Sequence, residues 1–121
     1  MSYKSFEDLD VWKRGCRLSV DIYRLLADCR DFGLRDQMQR SAVSIPSNIA
    51  EGCERGGKDF ARFLKIALGS DAELRTQIYI AREIELLPKE TTPDLLTEVK
   101  RISKMLSSLR RSVIANTDPK K

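Results

Sequence analysis

Histidine is absent from the 121 residues, and that one gap removes several chemistries at once. Without it there is no Ser-His or Cys-His nucleophile pair, no His-containing zinc site and no Glu-x-x-His pair for a di-iron bundle. Cysteine is scarce as well. Cys16, Cys29 and Cys53 are odd in number and far apart, with no Cys-x-x-Cys, so reduced, mostly buried thiols are expected rather than a disulfide frame or metal knuckle. Glycine and proline are few, at six and four. No apolar run approaches a membrane span, and the opening Met-Ser-Tyr-Lys-Ser-Phe-Glu-Asp lacks the basic-then-apolar layout of a signal peptide. A cytoplasmic protein that uses no membrane and no cofactor is the expectation.

What is present is 41% apolar and 33% charged residues, interleaved, which suits one folded helical domain over residues 1–121. Apolar positions recur every three or four residues in four stretches, predicting helices over about 8–29, 34–54, 59–87 and 93–114, with a frayed tail over 115–121. Leu9, Trp12, Cys16, Tyr23 and Leu26 mark the expected core face of the first. Met38, Ala42, Ile45 and Ile49 mark the second, Leu64, Ala67, Leu74 and Ile78 the third, and Leu95, Val99, Ile102, Leu106 and Val113 the fourth. Short connections then imply an all-α, antiparallel, up-and-down four-helix bundle. Pro46 falls inside the second stripe without breaking its phase, so a kinked, continuous helix is expected there, with the Ser41 and Ser44 hydroxyls close to the freed backbone groups.

A polar series keeps its own helical phase beside that stripe: Gln37, Ser41, Ser44, Asn48 and Glu51. Asp71 lies on the centre line of the third stripe, where a carboxylate needs a partner because an unpaired buried charge costs several kcal/mol. Two readings stand: interhelical hydrogen bonds that fix register, or a small polar pocket by the kink. An enzyme using Asp71, Glu51 and Tyr23 is a further reading, though no nucleophile and base converge in sequence. The first helix holds a second apolar stripe, Val11, Leu18, Ile22 and Leu25, and the third a weaker one, Ile66, Ile80 and Ile84; these are the expected contacts of a homo-oligomer.

The formal charge of +4 is uneven, for residues 98–121 carry seven basic against two acidic side chains. Lys100, Lys104 and Arg111, flanked by Arg101, point away from the fourth stripe. Lys13 and Arg17 add to them on the first helix, among Asp10, Asp21 and Asp28. Copies of this face in an oligomer would multiply its attraction for phosphate. RNA or DNA is then one expected partner; a protein-interaction module that touches no nucleic acid is the alternative.

Three segments resemble a known family. They are Phe6-Glu-Asp-Leu-Asp-Val-Trp-Lys-Arg-Gly, the stretch from Gln37 through Ser44-Ile-Pro-Ser-Asn-Ile-Ala-Glu-Gly52, and Phe63-Leu-Lys-Ile-Ala-Leu-Gly-Ser-Asp-Ala-Glu-Leu-Arg-Thr-Gln77. Together they look like the four-helix bundle proteins of 23S rRNA intervening sequences, to which the accessory variability determinant proteins of diversity-generating retroelements are related. The likeness runs to about Leu87, and the fourth helix is similar in type only. It implies a four-helix bundle, assembly as a homopentamer and binding of nucleic acid; the lack of a convergent nucleophile and base points to a non-enzymatic binding or scaffold role.

Overall fold

The computed structural model describes residues 5–117. They form a short 3-10 turn, Phe6–Asp8, then α1 (Asp10–Leu25), α2 (Phe32–Arg55), α3 (Gly57–Glu83) and α4 (Thr92–Thr117), with no strand among the described residues. Together the helices make a four-helix bundle around one apolar cluster.

Each helix end has a local cause. Ser5 and Asp8 cap the entry turn reciprocally, the Glu7 amide donating to Ser5 Oγ and the Ser5 amide to Asp8 Oδ2. Phe6 then sets its ring edge-on to Trp12, centroids 5.2 Å apart. Asp31 caps α2 by accepting from the Leu34 amide, so the helix starts at Phe32, ahead of Gly33. Gly56, at φ +71°, ends it. Pro88 does not terminate α3, which closes at Glu83. Glu85 takes the left-handed conformation at φ +59°, and the Glu85 and Leu86 amides donate back to the Arg82 and Ala81 carbonyls, a Schellman closure. α4 opens one residue earlier than expected, with Thr92 already helical and nearly fully buried. It also runs on to Thr117; of the expected tail, residues 118–121 lie outside the described residues.

α2 passes through Pro46 without interruption. The proline ring is buried against Gly15 of α1, where an added Cβ would sit 3.2 Å from Pro46 Cδ and 3.3 Å from Pro46 Cβ. Two helices therefore approach closely where α1 has no side chain. Six residues on, Gly52 performs the same service for α3: a Cβ there would fall 2.6 Å from that of Phe63. Gly52 is thus an interior packing position and not a helix stop. The Ser44 hydroxyl, expected to serve the backbone near Pro46, instead meets Ser70 Oγ of α3 at 2.8 Å.

The phase of α1 is the main correction. Val11, Leu18 and Ile22 are 4%, 2% and 0% exposed, so these three lie inside the subunit and offer no surface to an oligomer, while Leu25 is partly buried and packs against the core. Gly15 shares their face, and its contact with Pro46 sets which side of α1 turns inward. Of the residues expected inside, Leu26 is fully buried and Leu9 packs against the core, but Trp12 and Cys16 are only partly covered and Tyr23 is exposed, as is Val20. Helix α1 does carry two apolar edges, but the outer one is Trp12, Cys16, Val20 and Tyr23. Ile66 and Ile80 on α3 and Ile84 just past its end are 44%, 47% and 55% exposed, in keeping with an outer edge.

Candidate functional site

The polar series on α2 does not converge on a pocket. Asn48 donates from Nδ2 to the Ser44 carbonyl at 2.8 Å and to Ser44 Oγ at 2.9 Å, and Ser44 continues to Ser70, so three side chains close on one another between α2 and α3. Ser41 is buried nearby, whereas Gln37 is exposed. Glu51 turns outward to Arg55 at 3.0 Å, which itself lies over the Phe63 ring and 3.8 Å from Asp59.

Asp71 stands apart from that series. It is 2% exposed, its Oδ2 has no hydrogen-bond partner, and burial pushes its pKa up to about 7, partly offset by the Arg75 guanidinium one turn on. Gln77 Oε1 is likewise buried and unpartnered. Tyr23 is exposed on α1, so Asp71, Glu51 and Tyr23 do not meet. Among the described residues no three His, Cys, Asp or Glu side chains could hold a metal ion. None of the three cysteines is in a disulfide and all are partly covered, and burial raises the Cys16 thiol pKa.

A charged surface forms where α3 meets α4. Lys100, Arg101 and Lys104 line a shallow hollow of about 300 Å³ with Thr97. Lys100 also reaches the neighbourhood of Tyr79, whose hydroxyl sits among Arg75, Lys100 and Arg82. Arg75 has the largest influence on that hydroxyl and lowers its pKa; burial opposes it, and the charges of Lys100, Arg75 and Arg82 add to the lowering. The Arg82 guanidinium lies 5.2 Å from the Tyr79 ring centroid and 3.4 Å from Glu83. Two helices thus bring an aromatic ring and several cations onto one face, a combination that neither helix alone displays. Sequence reasoning missed Arg75, Tyr79 and Arg82. Their spacing of four and then three residues, one helical face, was the available signal.

Arg111 is exposed further along α4, eleven residues and about 16 Å from Lys100. Its neighbour Arg110 turns inward and donates to the Ala61 carbonyl at 3.1 Å, a packing role. Lys13 and Arg17 are exposed on α1, which α4 meets through an Arg14–Glu98 ion pair at 2.9 Å. Another hollow, between α1 and α4, has the opposite character: Asp21, Glu90, Asp94 and Glu98 surround a single cation, Arg24. No described helix is long and apolar enough to cross a membrane.

A family model described as 23S rRNA-intervening sequence protein matches residues 7–108. Among solved structures, a protein of unknown function from the S23 ribosomal protein family of Bacteroides thetaiotaomicron is similar with a TM-score of 0.77. It is 24% identical, and the match covers 84% of this chain and 95% of that one, a likeness that speaks for the fold. No curated protein matches the chain. With most of its length matched by that one family model, the chain belongs to the family of 23S rRNA-intervening sequence proteins.

Proposed function

We propose that this protein is a non-enzymatic, self-associating scaffold that binds nucleic acid, with RNA as the first candidate, in the cytoplasm. The observation that carries the reading is the grouping of Arg75, Arg82 and Lys100 about Tyr79, with Arg101 and Lys104 beside Lys100 on α4. A surface of that kind attracts phosphate through its cations and offers an aromatic ring beside them. The family description, which names ribosomal RNA, points the same way. Dispersal of Glu51, Asp71 and Tyr23 supports a binding role over catalysis.

The scaffold in this reading is a single antiparallel, up-and-down bundle, bent where Pro46 lies on Gly15. Paired positions support that course: Ser44 with Ser70 and Gly52 with Phe63 run in opposite senses along α2 and α3. Self-association, as the pentamer that the family resemblance implies, would cover the exposed Ile66, Ile80 and Ile84 and the outer edge of α1. The test retains ribosomal RNA or duplex DNA on the purified protein at low and high salt. Retention should fall with salt and disappear when Lys100, Lys104 and Arg111 are changed together to Glu. Unchanged retention in that variant overturns the assigned face. Failure of every nucleic acid to bind leaves the alternative, a protein-interaction module, as the better account. Light scattering at micromolar concentration checks assembly, for which a monomer is the contrary result.

A further inference from the structure

The face between α3 and α4 carries more than charge. Tyr79 is partly buried and packs against the core, while Arg75, Lys100 and Arg82 act on its hydroxyl. Simple phosphate attraction would be served by the cations alone. An aromatic ring among them adds a surface on which a flat group can lie; the Arg82 guanidinium, 5.2 Å from the ring centroid, rests over it in the free chain and moves aside when a base stacks there.

We propose that Tyr79 is a stacking platform for an unpaired nucleobase, which makes this face prefer single-stranded over duplex nucleic acid. This rests on the nucleic-acid reading above and narrows it to a partner class. A duplex keeps its base faces stacked inside and shows only edges and phosphates, so the ring gains little from it. A single strand can turn one base onto Tyr79 and bend its backbone to both sides. The cations are spaced for that. Arg75 and Arg82 lie seven residues apart, about 10 Å along α3, and Lys100 and Lys104 are one turn apart on α4, about 6 Å. Glu83 does not block the approach, because its contact with Arg82 is a 3.4 Å ion pair at the surface, the kind that competing phosphate displaces. Since every base has such a face, the preference is for strandedness and not for sequence.

The test is fluorescence anisotropy at low salt with a labelled 12-nucleotide oligouridine and a labelled 12-base-pair RNA duplex. The full chain is compared with its Tyr79→Phe, Tyr79→Leu and Tyr79→Ala variants. The single strand should bind several-fold more tightly than the duplex to the unaltered chain. Tyr79→Phe should keep that preference. Tyr79→Leu and Tyr79→Ala should each lose about tenfold in affinity for the single strand, the worth of one stacked base, with duplex affinity unchanged. Duplex binding equal to single-strand binding overturns the stacking role while leaving the nucleic-acid reading intact. So does an equal loss for both oligonucleotides in Tyr79→Leu, because that is the mark of a merely structural side chain. Absence of binding to either oligonucleotide overturns both.

Discussion

The two edges of α3 use polar residues in opposite ways. On the edge that meets α2, Ser70 is joined to Ser44 and Asn48, and the chain approaches so closely at Gly52 that no side chain fits. On the other edge Asp71, Arg75 and Tyr79 follow at one-turn intervals from the interior to the surface, ending beside Lys100. The first edge satisfies its polar groups within the subunit and serves cohesion. Along the second, Asp71 Oδ2 has no partner and the cations at its outer end face solvent. A regular polar phase along a helix therefore says little about function until it is known where each group finds its partner.

That contrast can be broken first at its tightest point. Gly52→Ala forces a Cβ to within 2.6 Å of Phe63 Cβ, and the resulting shift of α2 against α3 should cost about 3 kcal/mol in urea unfolding. Gly69→Ala is the control, since nothing lies within 4 Å of that position, and the substitution should stabilise by about 0.5–1 kcal/mol. On the other edge Asp71 provides a pH signature. Its folded pKa of about 7 exceeds the ordinary 3.8, so the folded chain holds the proton that the unfolded chain releases. Stability is then greatest below the unfolded pKa and falls as pH rises through the folded one, by about 2 kcal/mol between pH 5 and 7.5. Asp71→Asn should flatten that part of the stability profile, and an unaltered slope would remove Asp71 as its source. A smaller effect is expected from Asn48→Ala, about 1 kcal/mol, for the loss of its two bonds to Ser44, with nucleic-acid binding unchanged. Smallest of all, Glu85→Gly relieves the positive φ at the end of α3 and should stabilise the fold by roughly 0.5 kcal/mol, readable in the urea midpoint.

Much of the fold was legible in the residue pattern because α2, α3 and α4 each have one dominant apolar stripe, and those stripes are the buried ones. α1 was not, because it has two of similar strength, and large aromatic side chains made the outer one look like the core. What decides between them is Gly15, a residue with no hydrophobic signal, whose significance depends on Pro46 coming to rest against it from another helix. The candidate site was half legible for a related reason. Lys100, Arg101 and Lys104 share one helix and show in its periodicity, but Arg75, Tyr79 and Arg82 acquire their meaning only when α3 and α4 lie side by side.

The most direct test of the account is the slope of log affinity against log salt for a short single-stranded RNA, measured for the unaltered chain and for Lys100→Ala with Lys104→Ala. If the face between α3 and α4 neutralises three or four phosphates, the slope should be about −2 to −3 and become shallower by about 1.4 in the double variant. A slope that the double variant leaves untouched, or affinity that ignores salt, would contradict it.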